Sequence, residues 1–152
     1  MGNVIGSNIF NTLAARLAPV MARALAKDES LRPLAVLLDE WDFRDAADAA
    51  APLVLQAVWR QFALETLRDD LEEPLLTDFL KQRYYWQERL VHWFERDSSE
   101  WFDDTRTTVV ETRDDLIRRA GRLALDELSL RYGDDPTAWR WGDAHTITFS
   151  HP

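Results

Sequence analysis

Acidic residues and histidines are the side chains best placed for chemistry. Asp69-Asp70-Leu71-Glu72-Glu73 has the D-D-x-x-E shape with which helices of isoprenoid enzymes hold Mg²⁺ and diphosphate. Asp69 and Glu73 stand at i and i+4, which is one face of a helix. No second acidic motif of that type accompanies them, and 152 residues are too few for that fold. The competing reading is a solvated helix end. Asp103-Asp104, directly behind Trp101-Phe102, offers two carboxylates to a cation but no third ligand; the alternative is a turn or capping role. His145 and His151 are six apart across a predicted strand, so the period of two puts them on one face and makes a metal pair geometrically available. Asp143 is the only close acid, there is no Cys, and packed or hydrogen-bonded histidines are the alternative. His92 is single, on a predicted helix. The serines (Ser7, Ser30, Ser98, Ser99, Ser129 and Ser150) stand in neither a G-x-S-x-G nor an S-x-x-K context, and five glycines form no phosphate loop. No catalytic, cofactor-binding or metal-ligating residue is assigned in this chain.

The elements that would position these residues are mainly helical. Ile9, Leu13, Leu17, Val20 and Leu25 share a face, predicting a helix from an N-cap at about Ser7 to Lys27, bent or split at Pro19. Ser30 caps a second helix with Pro33 in its first turn, containing Leu34, Leu37, Leu38 and Trp41. A third runs from about Ala46 or Ala51 to Leu71, with Leu55, Trp59 and Phe62 as its stripe. The acids Asp69 to Glu73 crowd its C-terminal end, which the helix dipole disfavours, so they are solvated or answered by a neighbour. A fourth helix runs from about Pro74 to Glu95, with aromatic side chains on more than one face, some of them expected to meet another domain. Ser98 to Thr108 is a loop. A last helix from about Val110 to Tyr132 carries the small-residue stripe Ile117, Ala120, Ala124, Leu128, which permits close approach, and Gly133 ends it. Trp139 to Phe149 then reads as one β-strand. The expectation is thus about five helices over residues 1–135, and a turn and strand over 136–152 entering a sheet this chain does not contain. A lone strand leaves ladder groups unpaired, which marks the chain as a piece of something larger.

Composition narrows the partners. The net charge of −9 argues against a general nucleic-acid binder. No run approaches the ~18 apolar residues of a membrane span. The segment before Ala26 has no acid and faintly resembles a transit peptide, although its periodicity fits an ordinary core helix; it does not have the pattern of a secretory signal.

Several short motifs together resemble one family. Trp139-Arg140-Trp141-Gly142-Asp143-Ala144-His145, followed by Phe149-Ser150-His151-Pro152, resembles the W-x-W-G-x-x-H…F-x-H-P pattern of the penicillin acylase (penicillin amidase) family. Leu37 to Asp42 resembles its L-x-x-W-D segment, with Phe43 where the family normally has Gly. Asp45 to Leu71, and Trp101 to Asp104 with Glu111-Thr112 and the helix to Tyr132, resemble the segments between. The resemblance implies an N-terminal-nucleophile hydrolase of αββα fold, matured by self-cleavage. In such enzymes a new N-terminal Ser attacks an amide carbonyl, its own α-amine acts as base, and an Asn and a backbone N–H hold the oxyanion. It further implies hydrolysis of acyl amides such as β-lactam side chains or acyl-homoserine lactones, usually in the periplasm or outside the cell, and a structural calcium ion elsewhere in the parent. None of those catalytic residues maps onto this sequence: Ser7-Asn8 is a coincidental dipeptide. The chain corresponds to a middle, mainly helical section of the large chain, inactive alone, whose partners are the small chain and the catalytic core. The rival reading is a standalone helical protein-interaction domain.

Overall fold

A computed structural model of the chain describes residues 7–96 and 98–146. The architecture is mainly α. Helix α1 (Thr12–Leu25) and α2 (Arg32–Asp39) form a hairpin, joined by a short 3-10 turn at Glu29–Leu31. The pair packs on α3 (Ala51–Leu67) and α6 (Arg113–Tyr132), which lie against each other and carry the centre of the core. Helices α4 (Leu75–Lys81) and α5 (Arg83–Phe94) cover a further side of α3, and a single helical turn, α7 (Trp141–Ala144), closes one end.

The apolar stripes explain this packing. On α1, Leu17, Met21 and Leu25 are buried, as are Leu34 and Leu38 on α2. Helix α3 is apolar nearly all round, and thirteen of its seventeen residues are buried, as suits a helix enclosed by neighbours. The expected stripe on α6 is buried as Ile117, Ala120, Ala124 and Leu128, with Gly121 beside it. A Cβ at Gly121 would lie 2.4 Å from Leu25 Cδ2 and 3.1 Å from Leu31 Cδ1. The missing side chain is what lets α6 sit against the α1–α2 hairpin.

Several boundaries differ from the sequence expectation. The first helix starts at Thr12, not near Ser7, because Asn11 caps it: its side-chain oxygen accepts from the Ala14 N–H at 2.9 Å. Pro19 lies inside an unbroken α1. Residues before the cap form instead a short strand, β1 (Ser7–Phe10), antiparallel to the two-residue β2 (Arg44–Asp45). Trp41 falls beyond the end of α2, buried, with its indole N–H donating to the Arg44 carbonyl at 2.9 Å. The helix expected over Pro74 to Glu95 is two helices, broken at Gln82, whose ψ of 48° leaves the helical region. The strand expected over Trp139 to Phe149 is extended only at Trp139 and Arg140 before it turns helical. A 3-10 turn (Pro136–Ala138) and α7 occupy that region, and the backbone N–H groups of Trp141 and Gly142 donate to Ala49 and Ala47 carbonyls at 2.9 and 2.8 Å. Its remaining residues, Ile147 to Phe149, lie outside the described residues, as does His151.

Phe43 has a φ of 61°. This is the position at which the resemblance leads one to expect Gly, and a bulky residue there is strained by about 1–2 kcal/mol. Aromatic contacts hold it: the Phe43 ring packs edge-on against Phe10 at 5.9 Å and against Trp41 at 5.7 Å. Truncation should therefore invert the usual order. Phe43→Ala keeps the strain and loses the rings, whereas Phe43→Gly loses the rings and the strain together. Urea unfolding should show the Gly variant as the more stable of the two by about 1 kcal/mol.

Candidate functional site

The acidic motif at Asp69 to Glu73 does not share a helix face. Helix α3 ends at Leu67, and the acids lie on the turns that follow. Asp69 Oδ2 accepts from the backbone N–H and the hydroxyl of Thr105, at 3.1 and 3.2 Å. The acid at the helix end is thus answered by a loop 36 residues downstream. Burial pushes the Asp70 carboxyl above its usual range, and the Asp69 charge beside it adds to that.

Asp103 and Asp104 close that same loop. The Glu111 N–H donates to Asp103 Oδ1 at 3.4 Å, and the Asp104 N–H donates to Glu111 Oε2 at 3.1 Å. The Arg106 guanidinium forks onto Asp104, with both contacts at 2.8 Å. Its hydrogen bonds hold the Asp104 carboxyl at about 2, below the ordinary 3.8. Because the folded form binds its proton less readily than the unfolded chain, this contribution is complete above pH 3.8 and fades as pH falls towards 2. Carboxyl NMR titration should place the Asp104 midpoint near 2, and Asp104→Asn should flatten the loss of stability through that window.

The two described histidines have different partners. His145 is exposed and stacks on Trp141, with ring centroids 4.7 Å apart. His92 is exposed on α5, with Nε2 2.9 Å from Arg96 Nη2. Among the described residues no group of three or more His, Asp or Glu side chains could hold a metal ion.

Two constellations escaped the sequence reading. The first is a buried ion network. Glu65 on α3 and Glu111 before α6 are both buried, and Arg119 reaches both, with Nη1 3.4 Å from Glu65 Oε2 and Nη2 3.1 Å from Glu111 Oε1. Arg68 Nη1 lies 2.9 Å from Glu65 Oε1 but outside hydrogen-bonding geometry. Residues 54 apart in sequence meet here, so no local signal announced them.

The second is a groove of about 570 Å³ between α3, α4, α5, α6 and α7. Trp59, Trp86, Tyr132 and Trp141 supply its aromatic surface. Arg60, Lys81 and Arg131 supply positive charge, with Glu127 as the acid among the lining residues. Trp59 is 2% exposed, and its indole N–H has no hydrogen-bond partner among the described residues. The rings expected to face another domain are otherwise largely used within the fold. Trp86 and Phe94 are buried, and Trp93 stacks on Trp101 at 4.6 Å.

Comparisons with known proteins point to one family. An acyl-homoserine lactone acylase, QuiP, of Pseudomonas aeruginosa strain PAO1 is 36% identical over 55 residues. That match spans 36% of this chain and 6% of the relative. No solved structure matches. The family model described as penicillin amidase matches residues 2–152, so the chain belongs to the penicillin amidase family.

Proposed function

We propose that this chain is a helical section of the large chain of an N-terminal-nucleophile amidohydrolase that cleaves acyl amides. In this reading it is catalytically silent by itself, and its helices wall the substrate cleft or brace the core. The observation that carries the reading is the family match across residues 2–152, together with the acylase relative. The reactive groups, an N-terminal Ser with its own α-amine as base and the oxyanion donors, belong to the remainder of the enzyme, and the small chain and catalytic core are its partners. Periplasmic or extracellular placement follows from the same family reading. Among the described residues no helix is long and apolar enough to cross a membrane.

We read the structural calcium implied for the family as lying elsewhere in the parent. The three acids singled out above do not fit such a site: Asp69 is engaged by Thr105, Asp104 by Arg106 and Asp103 by the Glu111 N–H. Hard cations of this kind take six to eight oxygen ligands, and these carboxylates point into separate hydrogen bonds.

The test is an exchange. This segment should replace the matching segment of a family precursor and leave its self-cleavage and its hydrolysis of a chromogenic acyl anilide intact. The isolated chain should not hydrolyse that anilide or an acyl-homoserine lactone. Turnover by the isolated chain, or a chimaera that never matures, would refute the assignment.

A further inference from the structure

The groove has the anatomy of a protein-docking site. Trp, Tyr and Arg carry most of the binding energy at protein interfaces, because they combine large, rigid apolar area with a polar handle. Tyr132, Trp141 and Arg131 line this one surface, over a floor to which the buried Trp59 and Trp86 contribute. Its extent favours a chain segment over a compact ligand. Lining residues on α3 run from Leu53 to Leu64, roughly 16 Å along the axis at 1.5 Å per residue, which matches about five extended residues.

A further observation specifies the occupant. The charge is opposite to that of the whole. The protein carries −9, yet the lining has three cations against Glu127. Arg60 pairs with Glu127, and Lys81 is met at the surface by Asp78. Arg131 is exposed and makes no ion pair among the described residues. It is the cation left to receive an incoming carboxylate.

We infer that this groove docks a protein segment presenting a large apolar side chain beside carboxylates, the apolar anchor against Trp141 and Tyr132 and a carboxylate on Arg131. The groove's chemistry is independent of the hydrolase reading and can fail or hold without it.

The probe is a pair of synthetic hexapeptides, Glu-Phe-Leu-Asp-Leu-Glu and its counterpart with lysine at each acidic position, titrated into the full chain at low salt. Tryptophan fluorescence and calorimetry read the binding. The acidic peptide should bind on the order of ten-fold more tightly than the lysine peptide. Arg131→Glu should abolish that preference and Lys81→Glu should weaken it, whereas Arg23→Glu, on the exposed face of α1, should leave it unchanged. A circular-dichroism melt of each variant verifies that it is folded. Any of these results would overturn the assignment: no binding of the acidic peptide; equal binding of the two peptides; a preference unchanged in both groove variants; or binding of octanoate without binding of peptide. A concentration-dependent dimer dissolved by Arg131→Glu would place a second copy there instead, and would equally overturn it.

Discussion

Phe62→Ala should cost about 3–5 kcal/mol of stability, a large part of what a domain of this size has. Phe62 is fully buried on α3 and is the hub of an aromatic cluster. Its ring stacks on Trp59 at 5.7 Å and meets Phe94 of α5 edge-on at 5.2 Å and Phe102 of the following loop at 5.9 Å. Trp59 meets Phe94 as well, at 5.5 Å, so three segments converge on one side chain. Truncation removes the transfer energy of the ring and leaves a cavity that three rigid neighbours cannot fill. The loss should be concentrated in α5 and the loop carrying Phe102, since Phe62 is their common anchor on α3. Hydrogen exchange should show these segments opening first, while α1 and α2 keep their protection. Leu130→Ala is the control: Leu130 is 92% exposed, and the change should stay within about 0.5 kcal/mol. A Phe62→Ala variant that loses less than about 1 kcal/mol in urea unfolding would mean that the cluster does not anchor α5.

The helices were legible where one face repeats at helical spacing. Ile117, Ala120, Ala124 and Leu128 announced both a helix and a close approach, and they are buried against α3 and the α1–α2 hairpin. The ends were less legible, because rival caps compete locally. Ser7 and Asn11 are both good N-cap residues, and tertiary pairing of Ser7 to Phe10 with Arg44 and Asp45 decides for Asn11. The break at Gln82 has neither Gly nor Pro to mark it. Phe43 shows the opposite case, a departure from the family pattern visible in the sequence whose consequence, a positive φ, is visible only in the structure. The acids misled for a physical reason. D-D-x-x-E has helical geometry only if the helix continues, and α3 stops at Leu67. The groove and the Arg119 network are assembled from segments far apart in the chain, and periodicity within a window carries no information about such meetings.

Arg119→Met should cost about 2–4 kcal/mol, and the size of its rescue tests why. The Glu65 side chain is fully buried and Glu111 nearly so, while Arg119 is 39% exposed and spans both. Removing the guanidinium leaves Glu111 with the Asp104 N–H as its described partner, and leaves Glu65 with Arg68, which approaches at poor geometry. Uncompensated buried carboxylates are what make such deletions expensive, more than the loss of attraction itself. Met preserves the length and much of the apolar stem, so the change isolates the charge. If burial without a counter-ion is the cause, Glu111→Gln in the Arg119→Met background should recover about 1–2 kcal/mol, since the amide oxygen can still accept from Asp104. In the wild-type background the same Glu111→Gln change should instead destabilise, and the difference in sign is the signature of coupling. An exposed pair gives the scale: Arg122 lies 3.4 Å from Asp28, and Arg122→Met should cost no more than about 1 kcal/mol. The network also ties the loop from Asp103 to Glu111 onto α3, so Arg119→Met should raise hydrogen exchange there before the helices respond. Equal costs for Arg119→Met and Arg122→Met, with no rescue by Glu111→Gln, would mean that Arg119 acts as a surface cation and that the loop is held by its own Asp103 and Asp104 hydrogen bonds.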